Sequence, residues 1–129
     1  MKLNPDCIRD ILITIESMEY GKAYALKKLC TELPQYSAEE LNYHSIKLIE
    51  AGFLNADSVH VNNSFIPQIS RIYDLTFAGH QFLANVRSDN IWNGVKSVGS
   101  KVGSVSLEAL TQIASNVISE LIKSQFGLH

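Results

Sequence analysis

The stretch YSAEELNYHSIKLIEAGFL, residues 36–54, reads as one complete helix with its start and stop signals in place. Ser37 and Glu40 form S-x-x-E, so the serine hydroxyl can accept the backbone N–H of Glu40 while the glutamate carboxylate accepts that of Ser37. Tyr36 and Leu41 stand where a hydrophobic staple stands, just outside the cap and four residues inside it. Gly52 can take the left-handed conformation that ends a helix. Phe53 and Leu54 then begin something extended. At 3.6 residues per turn, Leu41, Ser45, Leu48 and Ile49 share one face, with His44 at its edge. The opposite face carries Glu39, Tyr43, Ile46 and Glu50, flanked by Asn42 and Lys47, and is expected to be exposed.

Two helices precede this one. Asn4 caps the first, Pro5 suits its first turn, and Asp6 favours the positive end of its dipole. Ile8, Ile11, Leu12 and Ile15 follow at core spacing over residues 5–18. The second covers residues 25–33, with Leu26, Leu29, Cys30 and Leu33 inward, and Pro34 stops it. Helix, short turn and capped helix are the order of a helix-turn-helix.

Beyond Gly52 the period changes from 3.6 to 2. Residues 53–61 and 68–75 are rich in Val, Ile, Tyr and Phe. In the second run Ile69, Arg71, Tyr73 and Leu75 alternate with Ser70, Ile72 and Asp74, so one face is expected to be apolar apart from Arg71. Asn62-Asn63-Ser64-Phe65-Ile66-Pro67 connects the runs, and the pair forms a wing. Thr76 caps a fourth helix over residues 77–87, in which Phe82, Leu83 and Val86 face inward and Gly79 permits close approach. Ser88-Asp89-Asn90 breaks it. Ile91, Trp92, Val95, Val98 and Val102 keep helical spacing through a stretch diluted by Gly94, Gly99 and Gly103. Glycine costs about 1 kcal/mol against alanine in a helix interior, so a frayed or broken helix is expected there. Trp92 is expected to anchor it. In the last helix Leu107, Leu110, Ala114, Val117 and Leu121 make an a/d-like seam, widened by Ile113, Ile118 and Ile122. Such a stripe needs cover, from its own chain or from a second copy.

The 129 residues suit one domain or a small domain with an appended helix. Net charge is −2, from 11 basic and 13 acidic residues. Residues 1–89 hold 8 Lys/Arg against 11 Asp/Glu, and residues 90–129 hold 3 against 2. Nucleic-acid binders usually carry a basic footprint, because phosphate contacts dominate their affinity. This chain has none overall. No leader with an apolar core follows Lys2, and no apolar run is long enough to span a bilayer. Cys7 and Cys30 lack metal or redox spacing and read as reduced thiols of a cytoplasmic protein.

MKLNPDCIRDIL, YSAEELNYHSIKLIEAGFLNA, LTFAGHQFLANVRSDNIW and VSLEALTQIASNVISELI together resemble a family of short bacterial and phage or prophage proteins catalogued as a domain of unknown function. The resemblance covers nearly the whole chain and is most specific in the LTxxGHxFL…R-D-x-x-W segment. It implies a winged-helix-like fold and a bacterial or phage setting. It carries no activity, substrate or functional residue.

The outer face of the third helix is the first candidate site. For DNA, this helix would enter the major groove, with Asn42, Tyr43 and Lys47 near bases and Lys27, Lys28 and Arg71 on phosphates. Glu39 and Glu40 oppose that reading, since they sit at the end a groove-reading helix inserts. For a protein partner, Tyr43 and Ile46 would form an exposed pair rimmed by carboxylates. His44, His60, His80 and His129 show no ligand spacing, so no metal is expected, and His44 and His80 read as structural. No nucleophile–base set or phosphate loop supports an enzyme or a cofactor.

The expected architecture is therefore α+β and mostly helical: a winged helix-turn-helix domain with a two-stranded wing and appended C-terminal helices. Residues 3–89 form the winged-helix domain, 90–104 a Gly/Ser-containing, partly helical connector, and 105–126 an amphipathic helix for dimerisation or packing. The expected function is non-enzymatic: a transcription-regulator-like dimer that occupies a double-stranded DNA site. The alternative is a protein-interaction module using the third-helix face without DNA. Leu107, Leu110, Ala114, Val117 and Leu121 would make the homodimer.

Overall fold

The computed structural model describes residues 1–103 and 106–127. Among them the chain is α+β and mostly helical. The order is α1 (Pro5–Glu16), α2 (Leu26–Glu32), α3 (Ala38–Glu50), β1 (Leu54–Val59), β2 (Gln68–Leu75), α4 (Phe77–Val86), α5 (Asp89–Val102) and α6 (Leu107–Gln125). Two units divide it, residues 1–80 and 81–129. No described helix is long and apolar enough to cross a membrane.

In the first unit the local signals behave as their chemistry requires. Asn4 caps α1, its Oδ1 accepting from Asp6 N at 3.1 Å and Cys7 N at 3.4 Å. Cys7, Ile8, Ile11, Leu12 and Ile15 make one buried stripe that packs on α3 and β2. The capping box of α3 is complete: Glu40 N donates to Ser37 Oγ at 3.1 Å, and Ser37 N to Glu40 Oε1 at 3.2 Å. At the other end Gly52 sits at φ +79. There Phe53 N donates to Leu48 O at 2.8 Å and Gly52 N to Ile49 O at 2.9 Å, the paired bonds of a Schellman motif. Tyr36, expected as half of a staple, reaches α1 through its hydroxyl, which donates to Asp10 Oδ2 at 2.7 Å. Burial, and then that bond, raise the Tyr36 phenol above its ordinary range.

The hairpin departs from simple alternation. Leu54 pairs with Leu75 and Asn55 with Asp74, but Ala56 pairs with Ile72 and Ser58 with Ile69. Tyr73 and Ser70 are thus the extra residues of two bulges in β2. Each bulge shifts the side-chain phase by one. The buried set becomes Ile69, Ile72 and Leu75, and Arg71 and Tyr73 turn out to solvent. The expected face of Ile69, Arg71, Tyr73 and Leu75 is corrected accordingly. The α1–α2 loop joins the sheet at one point: Tyr24 N donates to Ile72 O at 2.9 Å, and Ile72 N to Tyr24 O at 2.8 Å.

Thr76 closes the hairpin. Its Oγ1 donates to Gly52 O and accepts from Gly79 N at 3.1 Å, while its N–H donates to Phe53 O at 3.0 Å. Gly79 lies so close to Phe53 that a Cβ would overlap the Phe53 carbonyl oxygen.

In the second unit α5 is a continuous helix over Asp89–Val102, where a frayed one was expected. Ser88 Oγ accepts from Ile91 N at 3.5 Å, and Gly103 ends the helix at φ +72. Trp92, Val95 and Gly99 are buried at i, i+3 and i+7, and α5 packs on α6. That tertiary packing outweighs the propensity cost of the interior glycines. On α6, Leu110 and Ala114 are fully buried, Leu107 and Val117 are half-buried, and Leu121 is exposed. The first half of the seam is thus covered within its own chain.

Candidate functional site

The third-helix face offered as a contact surface is largely committed to the fold. α3 packs against α1, α2, β1 and β2. With neighbours on so many sides its buried residues spread beyond one stripe. Ile46, expected exposed, is only 8% accessible, because the helix is enclosed where a two-sided amphipathic reading leaves it open. The Tyr43/Ile46 pair is corrected to Tyr43 alone, which is half-buried.

Asn42 is also occupied. Its Oδ1 accepts from Ile69 N at 2.8 Å and its Nδ2 donates to Pro67 O at 3.1 Å. The side chain supplies the backbone bonds that start β2, using the same donor and acceptor that adenine recognition would need. Lys47 bonds Glu50 at 2.9 Å and lies 5.3 Å from the Tyr43 ring centroid. The Glu50 hydrogen bond raises its pKa, so the ammonium is answered on its own helix. Lys28 is answered likewise by Glu32 at 3.0 Å, whose hydrogen bond raises its pKa. Lys27 and Arg71 are exposed and make no ion pair among the described residues.

His44 is 1% exposed and fully engaged. Nε2 lies 2.7 Å from the Asn4 N–H, which can only donate, and Nδ1 lies 2.7 Å from the Glu40 carbonyl, which can only accept. The ring therefore carries its proton on Nδ1 and ties the start of α1 to α3. Among the described residues no group of three His, Cys, Asp or Glu could hold a metal. His129 lies outside them. Cys7 is buried, and burial, then the charges of Glu40 and Asp10, push its thiol up to about 12. That makes it an unreactive core thiol.

What α3 does offer is one wall of a groove shared with the hairpin. Glu39, Tyr43, Val61, Ser64, Ile66 and Gln68 line a cavity of about 380 Å³ there. Next to it the hairpin exposes Val59 (50%), Val61 (44%), Ile66 (51%) and the whole of Phe65 (101%). Residues 58–70 contain no Lys, Arg, Asp or Glu. Asn63 at φ +63, with Ser64 N donating to Val61 O at 3.2 Å, turns the loop that carries Phe65. From the sequence this stretch reads as a turn whose uncharged tip, Asn62, Asn63 and Ser64, could hydrogen-bond a minor groove, with no role for Phe65 or Ile66. The available signal was a charge-free run with Phe65 and Ile66 adjacent, too short to show a period.

Three comparisons with known proteins bear on the chain. The family model described as "Hypothetical protein (DUF2513)" matches residues 2–106. An "Uncharacterized protein" of Haemophilus influenzae is 33% identical over 124 residues, covering 95% of this chain and 99% of that protein. No solved structure matches.

Proposed function

The chain belongs to the DUF2513 family of hypothetical proteins, and we propose that it is a winged-helix protein-interaction module that docks a partner on the groove between α3 and the hairpin. The element order supports the winged-helix reading: three helices, then a two-stranded wing, with Tyr24 adding a bridge at the sheet edge. The observation that carries the function is the charge-free, apolar hairpin tip, where Phe65 is fully exposed and its chain neighbour Ile66 lines the groove with Tyr43 and Val61. A wing that tracks a phosphate backbone would carry cations there. An apolar rim of aromatic and branched residues fits the desolvated centre of a protein interface. Glu39 at the groove edge favours a partner that brings Lys or Arg to its periphery.

Duplex DNA is the weaker reading. Asn42 is bonded to the hairpin, Lys47 is paired with Glu50, and two carboxylates occupy the first turn of α3. A second copy, the other partner considered, would meet the apolar groove of about 420 Å³ formed by Val98, Ile113, Val117 and Leu121 with Asn116 and Glu120.

A photo-crosslinking residue at position 65 is expected to trap one protein from bacterial lysate, where the same residue at the exposed position 101 traps none. Phe65→Asp should abolish recovery of that partner without moving the thermal midpoint, since the ring touches only solvent. Duplex DNA bound with a steep salt dependence, and unaffected by Phe65→Asp, would overturn the reading.

A further inference from the structure

In the second unit α5 packs on α6, with Trp92, Val95, Gly99, Leu110 and Ala114 buried. Beside that contact runs the apolar groove of about 420 Å³, walled by Val98 of α5 and by Ile113, Val117 and Leu121 of α6. Ile113, Val117 and Leu121 recur at i, i+4 and i+8, and Val98 and Val102 at i and i+4, so each helix offers one continuous ridge. Val98, Val102 and Leu121 are 40, 65 and 45% exposed, and Ile113 and Val117 are half-buried. The seam expected from the sequence is therefore divided. Leu110 and Ala114 are covered within the chain, and the open ridge lies beside them on α6. The unit itself, residues 81–129, falls below the roughly 60 residues at which a lone core is already marginal.

Two polar residues of the groove specify what covers it. Asn116 lines it, is exposed, and makes no hydrogen bond among the described residues. An amide carries both a donor and an acceptor, so two copies of it facing across a twofold axis satisfy each other. A single asparagine in an otherwise apolar seam also fixes register between paired helices. Glu120 stands at the rim, 3.6 Å from Lys123 of its own helix. A parallel pairing would set the two Glu120 carboxylates side by side. An antiparallel pairing about Asn116 and Val117 separates them by roughly 10 Å along the axis, at about 1.5 Å per residue, and brings Ile113 opposite Leu121. Opposed helix dipoles favour the same arrangement.

We propose that a second copy of this chain seats on the α5–α6 groove, with the two α6 helices antiparallel about Asn116 and Val117. The two α5–α6 pairs then close into one four-helix bundle. The exposures leave open roughly 300 Å² of apolar surface per copy, which with a polar rim corresponds to roughly 1,000 Å² buried in total, the lower bound of a specific interface. A dimer of that size exchanges with monomer in the micromolar range. It uses no residue of the α3–hairpin groove and stands whether or not that groove binds a protein.

The test is sedimentation equilibrium of the full chain from about 1 to 500 μM, where a monomer–dimer transition is expected. Leu121→Glu and Asn116→Asp, both at exposed positions, should each weaken association about tenfold or more, while Phe65→Asp leaves it unchanged. A native amide spectrum of each variant separates lost association from lost fold. Orientation is read by disulfide trapping in a Cys30→Ser background. Chains carrying Ile113→Cys and chains carrying Leu121→Cys, mixed and oxidised, should form the mixed dimer in excess of either like pair. A monomer throughout, a dimer indifferent to both α6 substitutions, or trapping of like pairs alone overturns the assignment.

Discussion

Replacing Asn42 by alanine separates a structural asparagine from a recognition residue. The side chain makes two hydrogen bonds across 25 and 27 residues of sequence, to Pro67 O at 3.1 Å and from Ile69 N at 2.8 Å. A typical intramolecular hydrogen bond contributes about 1 kcal/mol net, and a stranded buried donor costs a further ~1–3 kcal/mol. Ile69 is 3% exposed, so its N–H has poor access to water, whereas the half-buried Asn42 side leaves room for partial rehydration of Pro67 O. The expected loss for Asn42→Ala is therefore about 2–3 kcal/mol. With a urea slope of ~1–3 kcal/mol/M, the midpoint should fall by roughly 0.7–3 M with the slope unchanged. Asn42→Asp keeps the acceptor for Ile69 but sets an oxygen against the Pro67 carbonyl, and should fall between alanine and the native residue. Native-state amide exchange adds a local reading, because the Ile69 N–H should lose protection in Asn42→Ala more than amides of α1 do, and retain more of it in Asn42→Asp, which keeps the acceptor. A change below about 0.5 kcal/mol in Asn42→Ala would refute the structural role, since only exposed, unengaged side chains behave so.

Two further substitutions test why particular glycines are present. Gly79→Ala should destabilise by about 2 kcal/mol or more, because the added methyl meets backbone at Phe53, whereas Gly94→Ala, in open space inside α5, should stabilise by roughly 0.5–1 kcal/mol. Thermal unfolding of both variants reads the opposite signs, and equal signs would refute the packing argument. The Cys7 thiol predicts a pH effect. Its value moves from 9.0 to about 12 on folding. The folded chain therefore holds a proton that the unfolded chain loses above pH 9. This stabilisation is complete below pH 9 and is lost as pH rises toward 12, by up to about 4 kcal/mol. Denaturation at pH 8 and pH 10.5 should show a smaller fall in Cys7→Ala than in the native chain, and identical falls would exclude the thiol as the cause.

Local chemistry was legible in residues that act on their own neighbours. The Asn4 cap, the Ser37/Glu40 box and the Gly52 stop were readable because each satisfies backbone groups within a few positions. The phase of β2 was not readable, since bulges at Ser70 and Tyr73 depend on how β1 and Tyr24 pair with it. The surface of α3 was misjudged for a similar reason. Asn42 and Ile46 look free on a helical wheel, but the hairpin takes the bonds of one, and the packing of α3 among α1, α2 and the two strands leaves the other buried.

Sequence alone determined the order of elements and the caps of α1 and α3, because those follow from interactions spanning about one helical turn, whereas the continuity of α5 needed its packing on α6. It also established membership of a family matched over residues 2–106. Tertiary structure decided which polar groups remain for a partner. Asn42 serves the hairpin, Lys47 is answered by Glu50, and Phe65 is left in water. Availability for binding is what remains after long-range contacts have taken their share, and no local pattern encodes that remainder.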